Sequence, residues 1–115
     1  MTGTMTPNGI LVRRGDSFDI AMHFKHKDGT PLDISGAQIF FDAKDNEENI
    51  VLHISGDITD ATEGRAVVKI TPQHSKLDVG TYEANIKIIF ANGDVHTIFP
   101  QDLSRNAMLQ ISEGV

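Results

Sequence analysis

Along almost the whole chain apolar and polar residues alternate with a period of two, which leaves little room for any fold not built from half-buried strands. Phe18, Ile20, Met22 and Phe24 share one side of a first clear segment, and Ser17, Asp19, Ala21, His23 and Lys25 share the other. A second strand is expected from about Ala37 to Lys44, with Ile39, Phe41 and Ala43 on one face and Phe40 on the other. Ile50 to Ile54 and Arg65 to Thr71 read as further strands, and the stretch between them, SGDITDATEG, reads as a turn-rich connection. The longest alternation places Tyr82, Ala84, Ile86, Ile88 and Phe90 on one face. It ends at Asn92-Gly93, a strong hairpin signal, and Val95, Thr97 and Phe99 return. Asp28-Gly29 supplies another tight turn, and Thr71 to Leu77 reads as one short helical turn capped by Thr71 with Pro72 in the first position. With Gly9–Arg13 at the start and an expected edge strand over 107–112, the count is seven to eight short antiparallel strands in one all-β domain.

A chain of 115 residues buries roughly two-thirds of its unfolded surface when folded, enough for one ordinary core. It contains no cysteine, which excludes a disulfide framework, a thiolate metal site and a cysteine nucleophile. No apolar run approaches the ~20 residues of a membrane-spanning helix, and MTGTMTPNG lacks the basic start and apolar centre of a signal peptide. A pI near 5.2 argues against nucleic acid as a partner, since phosphate-backbone affinity comes from clustered Lys and Arg. The expected organisation is an uncharged arm over residues 1–9, unstructured when free, a sandwich over 10–112 and a short tail over 113–115.

Charge is concentrated in about a third of the chain. Residues 28–63 hold nine acids against Lys44, whereas residues 1–27 carry a net +2 and residues 64–115 balance. Asp42, Asp45, Asn46, Glu47 and Glu48 surround one expected hairpin, and Asp57, Asp60 and Glu63 lie in another loop. Oxygen-rich loops at one end of a sandwich can hold Ca²⁺, which makes Asp42, Asp45, Glu47, Asp57 and Asp60 the candidate ligands. Neither stretch has EF-hand spacing, and the alternatives are an acidic docking face or two solvated turns closed by local hydrogen bonds. The five histidines are scattered, with His23 and His26 on opposite faces of an extended strand. Arg14-Gly15-Asp16 spells an integrin tripeptide but separates two strands, where a turn explains it. No nucleophile elbow, phosphate-cradling loop or H-E-x-x-H is present, no carboxylate pair stands in an apolar setting, and neither catalysis nor a cofactor is expected.

One motif narrows the choice of sandwich. Asp78-Val79-Gly80-Thr81-Tyr82-Glu83-Ala84 matches the D-x-G-x-Y-x-C signature of immunoglobulin domains, with Ala84 in the cysteine position. Asp78, Gly80 and Tyr82 would form the corner in which the tyrosine hydroxyl bonds back to the chain upstream.

Arg13-Arg14-Gly15-Asp16-Ser17-Phe18, the run Lys27-Asp28-Gly29-Thr30-Pro31-Leu32-Asp33-Ile34-Ser35-Gly36-Ala37, Ile58-Thr59-Asp60 with Gly64, Leu77 to Tyr82, and Asn92-Gly93-Asp94 form a further pattern. It resembles the small β-sandwich domains of tailed-phage virions, namely the N-terminal domain of the baseplate upper protein and the connectors that attach tail fibres. The resemblance covers about residues 10–112. It implies an immunoglobulin-like, non-enzymatic virion component, made in the host bacterial cytoplasm, that docks other virion proteins within a symmetric assembly. The chain departs from the baseplate upper protein in having no helical or fibre-binding region after the sandwich, so a free-standing connector, collar or decoration protein is expected to fit its length better. A capsid decoration protein is the nearest alternative, and a carbohydrate-binding or adhesin module comes from another class. Open sheet edges pair readily with a neighbour's strand, and the uncharged run at 107–112 makes Met108, Leu109 and Ile111 the expected interaction residues.

Overall fold

A computed structural model describes residues 3–6, 9–99 and 107–112; the remainder of the expected arm and the expected 113–115 tail lie outside the described residues. Ten strands follow in chain order: β1 (Gly3–Thr6), β2 (Gly9–Arg13), β3 (Phe18–His23), β4 (Gln38–Lys44), β5 (Ile50–Ser55), β6 (Asp57–Asp60), β7 (Arg65–Ile70), β8 (Gly80–Ile89), β9 (Val95–Phe99) and β10 (Ala107–Ser112). One sheet runs β1-β2-β10-β8-β4-β5, with β9 also paired to β8, and the other runs β3-β7-β6.

The two sheets bury the alternate residues that the period of two marks out. Ile39, Phe41 and Ala43 of β4, with Ala84, Ile86 and Ile88 of β8, meet Ile20 of β3 and Ala66, Val68 and Ile70 of β7 in one core. Phe41 and Val68 are fully enclosed. The order β3-β7-β6 opposite β10-β8-β4-β5 is that of strands B-E-D opposite G-F-C-C′, so the chain is an immunoglobulin-like β-sandwich with a C′ strand and, among the described residues, no C″.

Several expectations change. The strand over 107–112 is not an edge: β10 lies between β2, which it pairs in parallel, and β8, which it pairs antiparallel. The sandwich is therefore not wholly antiparallel. Within the expected arm, Gly3–Thr6 forms a strand paired to β2 in the register Gly3↔Val12 to Thr6↔Gly9. The expected connection SGDITDATEG contains β6, which pairs with β7 and shifts register between Ile58 and Asp60. Gly56 marks the switch of sheets, its N–H donating to Ile39 O at 2.7 Å while an added Cβ would stand 3.1 Å from the Ile39 side chain. Asp28-Gly29 closes a local turn, with His26 N donating to Thr30 O at 2.8 Å, but the strands on either side of it go to different sheets. The expected single helical turn after Thr71 is present: Ser75 N donates to Thr71 O at 3.1 Å, and the capping Thr71 hydroxyl accepts from His74 N at 3.3 Å.

Candidate docking surface

The residues singled out for function fall into three regions, and strand direction decides which of them meet. β4 ends at Lys44 beside Glu83 near the start of β8, so the turn 45–49 lies at the Tyr82 end of the sandwich. β7 begins at Arg65 beside His23 at the finish of β3, so the turn 61–64 lies at the opposite, Phe24 end. The two acidic stretches are thus separated by the length of the strands. Asp42, Asp45 and Glu47 belong to one end of the large sheet, and Asp57 and Asp60 to the other sheet. Among the described residues no three His, Asp or Glu side chains come together as a metal site.

At the Tyr82 end several acidic residues have local tasks. Asp45 accepts from Glu47 N at 2.9 Å and Asn49 N at 3.0 Å, closing the β4–β5 turn. These bonds, led by that from Asn49 N, hold its carboxyl below the ordinary value. Lys44 lies between Glu48 and Glu83, and its bond to Glu48 with the charge of both raises its ammonium above the usual range. The Tyr82 hydroxyl donates to Asp78 O at 2.6 Å, the corner bond that the Asp78-x-Gly80-x-Tyr82 spacing describes. Burial, followed by the charges of Asp78 and Asp45, raises the phenol. A hollow of about 250 Å³ lies between Asp45, Asn46 and Glu47 on one side and Val79 to Tyr82 on the other.

The Arg14-Gly15-Asp16 tripeptide is the β2–β3 turn at this same end. Arg14 Nε donates to Leu77 O at 3.0 Å, and Asp16 O accepts from the Ser75 hydroxyl at 2.7 Å. Ser75, the one wholly buried polar residue among those described, therefore clasps two turns together. Sequence reasoning passed over it, because a serine after Pro-Gln-His carries no local sign that its partner lies 59 residues away.

The outward face of the large sheet carries a row of side chains in register across three strands. His53 of β5 stands opposite Asp42 of β4, which stands opposite Asn85 of β8. His53 Nδ1 bonds Asp42 Oδ1, and its ring stacks on Phe40 with centroids 5.1 Å apart. Further along this face are Leu11 and Met108, 42% and 41% exposed, on the adjacent strands β2 and β10. Of the expected interaction residues only Met108 is accessible. Leu109 and Ile111 are 0% and 1% exposed and belong to the core, because β10 is an interior strand. The other histidines are dispersed: His74 Nδ1 accepts from Thr71 N at 3.1 Å, His96 meets the edge of Phe90, and His23 and His26 lie at the Phe24 end.

The third region is a groove of about 450 Å³ between the side of β3 away from β7 and the facing sheet, lined by Ile20 to Lys25 with Ile86, Ile98 and Phe99. Among the described residues no strand pairs with this side of β3, the setting in which extended segments add to sheets.

No family model and no curated protein matches the sequence. Among solved structures, the chain is similar to one titled "Structure or murine CRIg", with a TM-score of 0.42 and 10% identity, covering 99% of this chain and 98% of that one.

Proposed function

We propose that this protein is a non-enzymatic structural component of a tailed-phage virion, a tail, baseplate, collar or fibre connector that docks other virion proteins through its surface. The observation that carries the reading is where the family-like residues fall. Arg13 to Phe18, Lys27 to Ala37, Ile58 to Gly64, Leu77 to Tyr82 and Asn92 to Asp94 span the turns and strand starts that set the sandwich's connections. Gly15, Gly29, Gly36, Gly64 and Gly93, all within those runs, stand at positive φ. The resemblance therefore follows the turn framework of the fold and not the composition of its strands.

Docking would use the outward face of the large sheet at Leu11 and Met108, in place of the edge expected at 107–112. The direct test is mass spectrometry and immunolabelling of purified particles from the phage that encodes the chain. Detection at a fixed copy number, at the tail, is expected, and its absence from particles would overturn the proposal. Labelling on the head would favour the capsid-decoration alternative. Leu11→Glu with Met108→Glu, both exposed, should leave the melting temperature nearly unchanged and reduce incorporation at least tenfold, about 1.4 kcal/mol of docking energy.

A further inference from the structure

β3 is the outer strand of the three-stranded sheet, with β7 on one side and no described strand on the other. Its register with β7 runs Phe18↔Ile70 through His23↔Arg65, and one step on, Phe24 N donates to Gly64 O at 2.7 Å. Opposed residues in an antiparallel ladder alternate between bonded and non-bonded pairs. Phe18, Ile20 and Met22 therefore turn their backbone groups toward β7, and Asp19, Ala21 and His23 turn theirs toward the open side. The side chains of these last three are exposed on the outward face.

We infer that this edge pairs with the same edge of a second copy, antiparallel about a twofold axis at Ala21, joining two three-stranded sheets into one of six strands. The occupant is a second copy because the edge is complementary to itself. A twofold centred on Ala21 places Asp19 opposite His23 of the second copy, and the three residues with outward backbone groups meet one another as bonded pairs. Within one chain Asp19 lies beside Lys69 and His23 beside Arg65. Across the seam the row then reads Lys69, Asp19, His23, Arg65, which sets the Asp19 carboxylate against the His23 imidazole, with a basic side chain on either side. Ala21, at the axis, is small enough for close approach. On the inner face Ile20 stands opposite Met22 of the second copy, and these apolar side chains enter the groove above Ile86, Ile98 and Phe99. β6, the other outer strand of this sheet, is four residues long and irregular, features that blunt an edge against pairing. The inference concerns self-association and stands apart from the virion proposal.

The experiment combines sedimentation equilibrium of the full chain, from micromolar to millimolar concentration, with three kinds of variant. The native chain should show a mass twice that of one copy. Ala21→Pro removes an outward N–H while sparing the bonds to β7, and should be monomeric with an unchanged circular-dichroism spectrum. Ala21→Cys, in a chain with no other cysteine, should cross-link to itself under oxidation, and Asp57→Cys on β6 should not. Asp19→Lys should weaken the dimer at least tenfold, and Asp19→Lys with His23→Glu should restore it, which decides the matter if the proline variant does not fold. A native chain that stays monomeric throughout, a dimer that survives Ala21→Pro, or cross-linking through residue 57 in preference to 21 would each overturn the inference.

Discussion

At the scale of single residues, the most demanding position is Gly64, at φ +72 in the β6–β7 turn and packed against the β3–β4 connection. A Cβ there would collide with Phe24 O and stand 2.7 Å from Leu32 O, both backbone atoms that cannot move aside without breaking the Leu32 N to Phe24 O bond. Gly64→Ala should cost about 2–3 kcal/mol in urea unfolding, whereas Gly93→Ala, at φ +93 with open space around it, should cost about 1 kcal/mol. Tyr82→Phe removes the corner bond and should cost about 1 kcal/mol by the same measurement. Asp28, Asp33 and Asp45 each accept turn hydrogen bonds that lower their carboxyls: Asp28 from Thr30, Asp33 from Ser35, and Asp45 from Asn49 and Glu47. A carboxyl lowered on folding binds fewer protons in the native state, so its contribution is complete above the ordinary value of 3.8 and is lost as pH falls through the lower native value. The melting temperature should drop below pH 4, and Asp45→Asn, which keeps the acceptor but not the titration, should flatten that drop. These tasks are written in short spacings, which is why the Asp78-x-Gly80-x-Tyr82 corner and the turn chemistry were legible while the Ser75 clasp, made across 59 residues, was not.

At the scale of elements, alternation located nearly every strand because it reports which side of a strand is buried. It is silent about which strand lies beside which. β10 illustrates the difference: Leu109 and Ile111 alternate with Met108 and Gln110 in either an edge or an interior strand, and only the parallel pairing to β2, about a hundred residues away, makes it interior. Leu109→Ala should therefore cost about 2–5 kcal/mol, as a wholly buried leucine does, whereas Met108→Ala should cost less than half as much; chemical denaturation of the two variants checks this. Removal of 107–112 should abolish cooperative unfolding, since it strips β2 and β8 of their shared partner. β6 escaped notice for a different reason. Asp57-Ile58-Thr59-Asp60 offers a single apolar residue, too little periodicity to mark a strand that exists because β7 presents a side to pair with.

At the scale of the whole molecule, the acidic third of the sequence does not make one acidic region. The crossing from β3 in one sheet to β4 in the other, and from β5 back to β6, sends the turn 45–49 and the turn 61–64 to opposite ends. A count along the chain could not show this, because it sums charges that the topology separates. The exposed apolar pair Leu11 and Met108 stands toward the Tyr82 end of the large sheet, and His23 beside Arg65 stands at the Phe24 end. Contacts through the apolar pair Leu11 and Met108 should persist in high salt, and contacts through the acidic turns should weaken as screening shortens to about 3 Å at 1 M; the salt dependence of binding to any partner separates the two.

The parallel pairing of β2 with β10 also determines how the molecule responds to being pulled. Gly3 stands beside Val12, and Val12 beside Ile111, so the outer ends of β1 and β10 emerge at the same end of the sandwich. Tension between them first peels β1 from β2 one hydrogen bond at a time, a low-force event that lengthens the chain without opening the core. Once β1 is gone, β2 is drawn from its Gly9 end and β10 from its Ser112 end, in opposite directions along parallel strands. The whole ladder between them is then sheared at once and resists together. Single-molecule stretching should record a soft extension followed by a distinct, higher rupture, a compliant leash in series with a stiff clamp.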